Sequence, residues 1–337
     1  MKCPTCGGDC ILPAHKVLDE IFTMYMACSS CPPDPKLNKG ASFHEKMDNS
    51  SGRCGKCGKR HLDFVIGNVL TILKENGLFP EDASLKEVGT PLIAFGYQVP
   101  YPPRLGDKSL VLVMDSVTEE AAGEIVARVP EVKGVIKRTG SQSQSVGILD
   151  TDSTPHTYEL LAGCDMRCDI VSSSFGELCI YKNQSKIHIE FNNTKIQKLE
   201  ELYLKGEFDN ACVVDGFCGP GTLGLLCVLA GARKVILNDA WLPALQNAIL
   251  NIRANSDILG VKIDFEKQDY DKLIGDEPVL LAKAEGAAKI RVYHGDVRKL
   301  DRVVKECDIC LIDTFPSVNP AEFTTLCKDI AKRVIVI

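Results

Sequence analysis

Residues 213–239 read VVDGFCGPGTLGLLCVLAGARKVILND. An apolar run ends on an acid, Asp215, and opens into a glycine-rich turn. An apolar stretch of helical length follows, and a second apolar run ends on Asn238-Asp239. Strand, turn, helix and strand in that order open a doubly wound parallel sheet. The turn discriminates between ligands. A phosphate-binding P-loop needs Lys-Ser/Thr after its last glycine, and neither follows Gly221. A dinucleotide site needs G-x-G-x-x-G, whereas Gly216, Gly219 and Gly221 are spaced G-x-x-G-x-G. An acid at the strand end repels a pyrophosphate seated on a helix N-terminus. It suits a cationic ligand, and S-adenosylmethionine carries a sulfonium and an ammonium group. An inert or nicotinamide-type domain is the alternative.

Further acids follow at the ends of later apolar runs. Asp239 lies 24 residues beyond Asp215, where a carboxylate can accept ribose hydroxyls. Asp296, followed by Val297, ends the run in VYHGDVRKL. Asp313 ends CDICLID and opens into TFPSVNPAEF. Ligands of such sheets bind outside the carboxyl ends of the strands, so these acids are expected to face one crevice. Singly, each has a plainer reading as a helix cap. Together they give an expected site. Asp215 holds the amino end of the cofactor, Asn238 and Asp239 the ribose, and Asp296 with Val297 the adenine. Gly219 and Gly221 admit close backbone approach, and Phe217 touches the cofactor through its backbone. Asp313 faces the substrate as an amine acceptor or weak base. His294 is expected to be structural, and Trp241 lies against the cofactor or packs in the core.

Upstream, cysteine is the informative residue. Seven of the 16 cysteines (Cys3, Cys6, Cys10, Cys28, Cys31, Cys54, Cys57) precede residue 60. The pairs CPTC, CSSC and CGKC have the two-residue spacing with which two thiolates grip one tetrahedral ion. Cys3, Cys6, Cys28, Cys31, Cys54 and Cys57 are therefore the expected zinc ligands, on a zinc ribbon. His44 or His61 could complete a second site. The spacings do not match ferredoxin patterns. Cys164 and Cys168, in CDMRC, read as ordinary cysteines of a strand region.

The chain has 337 residues, 45% of them apolar, and a net charge of −6, as in an ordinary soluble globular protein. No apolar run reaches the roughly 18 residues of a membrane span, so no membrane partner is expected. The polar N-terminus is not a secretory signal, and a cytoplasmic location is the default. Residues 1–60 carry nine Lys+Arg against six Asp+Glu, a mildly positive segment on an acidic chain. Between the cysteines and the glycine turn, 58–77 reads as helix and the Pro- and Gly-rich stretch 78–107 as linker. SLVLVMD, TEEAAGEIVARV and VKGVIKR read as strand, helix and strand. HTYELLAG, DMRCDIVSSS, ELCIYKN and KIHIEFN read as strands, and IQKLEELYLKG as a helix. SQSQS (141–145) reads as an exposed loop. The final KRVIVI reads as the fifth strand of the sheet. Either the chain is cut short there, or a partner, such as a second copy of the chain, covers that edge.

On these residues the chain resembles known families. VVDGFCGPGTLGLL is similar to motif I of the RNA methyltransferases that modify guanine next to the tRNA anticodon, and of the related wybutosine-pathway aminocarboxypropyl transferases. VARVPEVKGVIKRTG followed by HTYELLAG resembles the small α+β domain those enzymes place before their catalytic domain. VILNDAWLPALQNAILNI and LIDTFPSVNPAEF resemble the strand-ending Asn-Asp and the Asp-Pro-Phe-Gly motif of the tRNA guanine dimethyltransferases. Together these cover about residues 108–337. The stretch KIHIEFNNTKIQKLE lacks the arginines that precede motif I in the anticodon-loop enzymes, and Thr314 stands where the dimethyltransferases have proline. The resemblance implies a Rossmann-like α/β domain of the class I methyltransferase type (206–337). Before it come a helical linker with a small α+β domain (63–205) and the zinc ribbon (1–62). It implies S-adenosylmethionine-dependent methyl transfer with tRNA as substrate. A protein side chain or small cofactor precursor is the alternative substrate. A non-catalytic RNA- or protein-binding scaffold is the alternative from another class.

Overall fold

A computed structural model describes residues 1–141, 144–149, 152, 154–189, 193–267 and 277–337. The N-terminal segment forms helix α1 (Ala14–Met24) and a two-residue strand, β1 (Arg60–His61), that leads into α2 (Leu62–Glu75). Eight strands and a helix follow: β2 (Thr90–Ile93), β3 (Phe95–Gly96), β4 (Arg104–Leu105), β5 (Leu110–Met114), α3 (Glu119–Arg128), β6 (Val132–Lys137), β7 (Glu159–Gly163), β8 (Met166–Ser173) and β9 (Gly176–Asn183). They build a four-stranded sheet in the order β2-β5-β6-β7 and a three-stranded sheet in the order β3-β8-β9, while β4 pairs with β1.

Helix α4 (Asn193–Tyr203) leads into the C-terminal domain. Its elements are β10 (Cys212–Asp215), α5 (Thr222–Leu229), β11 (Lys234–Asp239), α6 (Leu242–Ala254), α7 (Ser256–Leu259), β12 (Val261–Glu266), β13 (Val279–Gly286), β14 (Lys289–His294), β15 (Cys307–Ile312), α8 (Ala321–Cys327) and β16 (Ala331–Val336). The sheet runs β12-β13-β14-β11-β10-β15-β16. The five strands from β14 to β16 are parallel, and β12 and β13 add an antiparallel hairpin on one edge. Along the chain the sheet grows outward from β10 to β14, then restarts on the other side at β15. The switch point therefore lies between β10 and β15, the place where a doubly wound sheet opens a crevice.

Alternation along the strands builds both layers. Val213, Val235, Leu237, Ile309 and Leu311 point to one core, with α5 and α6. Val214, Ile236, Cys310 and Ile312 point to the other, with Phe323 and Cys327 of α8. Strands buried on both faces explain why these segments read as continuous apolar runs. Helix α5 is buried from Thr222 to Val228, as an apolar helix clasped between layers must be.

Three readings need correction. The stretch 78–107 is not a plain linker, because it supplies β2, β3 and β4 and a 3-10 turn at Leu85–Val88. Residues 186–189 of the expected strand KIHIEFN are not a strand, and 190–192 lie outside the described residues, as do 142–143 of SQSQS. The N-terminal segment contains a helix, α1, whose Val17 and Ile21 are one turn apart and buried. Tyr25, Phe43 and Met47 share one core with α2, α3, β5 and β6. Arg60 and Glu131, both fully buried, meet across that junction, Nε to Oε1 at 2.9 Å and Nη2 to Oε2 at 2.6 Å.

Candidate active site and cysteine clusters

The glycine turn follows β10 and caps α5. Gly219 (φ 51°) and Gly221 (φ 87°) occupy the left-handed region that glycine tolerates without strain. A side chain on Gly219 would meet nothing within 4 Å, so its backbone faces open space. Beneath the turn, Asp215 Oδ2 accepts the Gly224 N–H at 2.9 Å, while its Oδ1 is buried without a partner. Burial, with the Asp313 charge as the next cause, pushes its carboxyl up to about 8, so it is protonated at neutral pH. Asn238 is fully buried and its Nδ2 donates to the carbonyls of Gly216 and Gly295. It thereby ties the loop after β10 to the loop after β14. Its Oδ1 and Thr222 Oγ1 are also buried without partners.

Asp239 stands at the end of β11 and lines the cleft. Its Oδ2 accepts the Gly219 N–H and its Oδ1 the Trp241 N–H, both at 2.7 Å. Burial pushes its carboxyl up to about 6, against the pull of those amides. Asp313 follows β15. Both of its oxygens lie 2.8 Å from Lys195 Nζ. Lys195 comes from α4, so Asp313 is held by a residue from outside the C-terminal sheet.

The cleft holds about 880 Å³ of space, part of it open to solvent. Phe217, Gly219, Asp239, Trp241 and Asp313 line it, and so do Ile187, His188 and Lys195 from the segment before the C-terminal sheet. Residues 146–149 also reach it, and Gly147 lies against the Trp241 indole, whose Nε1 donates to Lys186 O at 2.8 Å. The remaining expected site residues are elsewhere. Asp215 and Asn238 lie under the turn, and Gly221 packs against Ala248. Asp296 is 1% exposed, caps the next turn through the Arg298 N–H and pairs with the Arg298 guanidinium. Val297 is buried against Gly216. His294 is buried on the Ala240 carbonyl, and burial holds its imidazole below the usual range. Lys195, His188 and Thr222 were not singled out from the sequence. A lysine in a polar amphipathic helix carries no local mark of facing a site.

These features fit S-adenosylmethionine. The three partnerless oxygens below the turn, the open face of Gly219 and the acid at the end of β11 give the site convergent polar groups beside the apolar Phe217 and Leu223.

The cysteines divide into two groups of four. Cys28, Cys31, Cys54 and Cys57 form one, and Cys3, Cys6, Cys10 and Cys164 the other, each with all sulfurs within 4.8 Å. Sulfur–sulfur distances are 3.6 to 3.7 Å in the first and 3.7 to 4.0 Å in the second. Four thiolates about 2.3 Å from one tetrahedral zinc ion stand about 3.8 Å apart. A disulfide requires about 2.05 Å. All six expected ligands are thus in clusters, but the CPTCGG and CGKCGK knuckles go to different ones. The partner of Cys3 and Cys6 is not Cys28, Cys31 or a histidine. It is Cys10, four residues on, and Cys164, which read as an ordinary strand cysteine. His44 is exposed, and His61 caps α2 by accepting the Asp63 N–H.

No family model matches the chain, and no curated protein is detectably similar to it in sequence. Solved structures do match. Pyrococcus horikoshii TYW2 in complex with MeSAdo is 19% identical over 79% of this chain and 76% of its own, with a TM-score of 0.41. The M. jannaschii tRNA m1G37 methyltransferase is 17% identical over 81% and 64%, with a TM-score of 0.36. Trm1 from Pyrococcus horikoshii with S-adenosyl-L-methionine is 19% identical over 48% and 40%, with a TM-score of 0.31. The chain spans 55% of the length of aTrm5 in its complex with tRNALeu. Among the described residues, no helix is long and apolar enough to cross a membrane.

Proposed function

We propose that the chain is an S-adenosylmethionine-dependent methyltransferase acting on tRNA. The observation that carries the cofactor is the cradle of buried, partnerless oxygens on Asp215, Thr222 and Asn238 beneath an open glycine turn. It lies at the switch point of a parallel sheet. The bound cofactor supplies an electrophilic methyl group. Asp239, which lines the cleft, would hold the ribose hydroxyls, and Asp215, beneath the turn, would act on the cofactor's ammonium group by its charge from below the loop. Asp296 and Val297 fix the loop on which the adenine rests. Asp313 takes the proton lost by a substrate amine, with Lys195 holding its carboxylate in place. Phe217, Trp241 and Phe315 exclude water from that end of the cleft, so catalysis is chiefly positioning and desolvation. The sequence motifs shared with tRNA guanine methyltransferases support the substrate class. The Cys28, Cys31, Cys54 and Cys57 cluster is proposed to hold zinc, and the protein to act in the cytoplasm.

Calorimetric titration with S-adenosylmethionine tests the cofactor, and incorporation of labelled methyl into a tRNA fraction tests the substrate. Micromolar binding that is lost in Asp239→Ala, with label in tRNA, is the expected result. Binding with label only in a protein or small-molecule fraction moves the substrate to that class. Absence of binding at millimolar ligand overturns the transferase reading.

A further inference from the structure

The geometry points to a second zinc ion, bound by Cys3, Cys6, Cys10 and Cys164, that bolts the start of the chain onto the turn between β7 and β8. Two independent features place it beside the first. The sulfurs stand at tetrahedral separations, as above. The backbone around Cys3–Gly8 also repeats the backbone around Cys54–Lys59. Cys3 N–H donates to Gly8 O at 2.8 Å and Gly7 N–H to Cys3 O at 2.9 Å. Cys54 N–H donates to Lys59 O at 3.0 Å and Gly58 N–H to Cys54 O at 2.9 Å. Gly7 and Gly58 have φ of 67° and 72°. The same knuckle is built twice, and each copy meets a different pair of thiols.

Cys164 is held ready for this role. Its N–H donates to Lys133 O at 2.8 Å, and its backbone passes so close to Gly134 that a Cβ there would lie 2.5 Å from Cys164 O. The knuckle is docked by Thr5, whose hydroxyl donates to Asp165 at 3.1 Å. Asp165 in turn accepts the Ser185 N–H at 3.0 Å. Beyond Cys10, the Leu12 N–H and carbonyl both bond the Tyr181 hydroxyl at 2.9 Å. Helix α1 begins two residues later. Its Ile21 and Phe22 wall a second cavity of about 1720 Å³ of space, part of it open to solvent, and Lys182 lines both this cavity and the proposed methyl-transfer cleft. A short N-terminal segment without a core of its own gains a fixed position from the ion, and that position sets the wall of the cavity. The inference is independent of the reaction, because its readout is metal content.

Zinc and iron are measured by elemental analysis on the purified full chain, and the metal is then exchanged for cobalt. Two zinc ions per chain are expected for the native sequence, and one for Cys164→Ser or Cys54→Ser. The cobalt arm needs no variant. Two equivalents are expected to give the intense visible bands and sulfur charge transfer of tetrahedral thiolate sites. One equivalent in the native chain, iron in place of zinc, or two zinc ions retained by Cys164→Ser overturns the assignment.

Discussion

Lys195 and Asp313 pair in the lining of the cleft, with Nζ 2.8 Å from each carboxylate oxygen. They come from different parts of the fold, α4 and the end of β15, and their pairing makes one residue a candidate proton acceptor and the other its support. Asp313→Asn is expected to lower the methyl-transfer rate by about 10²-fold or more, the usual worth of a positioned acid or base. Its affinity for S-adenosylmethionine should stay within a few fold. Lys195→Met is expected to follow it, and Lys195→Arg to recover part of the rate. Single-turnover kinetics with labelled cofactor separates rate from binding. Equal loss of cofactor binding in all three variants would show that the pair is structural.

Gly219 in the turn and Gly224 in α5 should fail in different ways. A Cβ on Gly224 would lie 2.2 Å from Leu237 Cδ2, so Gly224→Ala overpacks the α5–β11 contact at a cost of about 1–3 kcal/mol. Gly219→Ala meets nothing and pays only for its backbone conformation, roughly 1 kcal/mol. Yet it places a methyl group where the cofactor approaches. Urea unfolding should show the larger loss in Gly224→Ala, and calorimetry the larger loss of cofactor affinity in Gly219→Ala.

Asp215 gives a pH signature. Its carboxyl is raised to about 8 in the folded chain, against about 3.9 unfolded. The folded state therefore keeps a proton that the unfolded state releases. The corresponding stability is fully present below pH 3.9 and is lost as pH rises through 8. Asp215→Asn removes this dependence, so its melting temperature relative to the native chain should increase between pH 5 and pH 9. In the native chain, a cationic ligand favours ionised Asp215. Cofactor affinity should then rise with pH from 6 to 8 and release a proton. Calorimetry in buffers of different ionisation enthalpy reads that proton, and the Asn variant should show none.

The Arg60–Glu131 pair is fully buried, and Arg53 also reaches Glu131, at 2.8 Å. Glu131→Gln strands buried positive charge and is expected to cost about 3–5 kcal/mol. The denaturant midpoint measures this. A change under 1 kcal/mol would mean that water reaches Arg60.

The alternation of apolar strands and helices from residue 211 onward, opened by residues 213–239, marked the doubly wound sheet, because a strand buried on both faces must be apolar throughout and a turn at its end favours glycine. The run of apolar segments ending in acids also marked which ends of the strands matter. Spacing alone marked the paired cysteines as ligands, since two thiolates on one tight turn are a local arrangement. Tertiary structure decided the rest. Asp215 and Asp239 both read as strand-ending acids that hold the cofactor, yet Asp215 lies under the turn on the Gly224 N–H of α5 while Asp239 lines the cleft. Lys195 meets Asp313 only when the fold brings α4 to the end of β15. Seven N-terminal cysteines fill one four-thiolate cluster and leave three. That odd count signalled a missing ligand, but only folding could bring Cys164 to Cys3 across 161 residues of chain. Ligand sets closed over such separations leave no local pattern, whereas strands, turns and knuckles are set by neighbours in sequence.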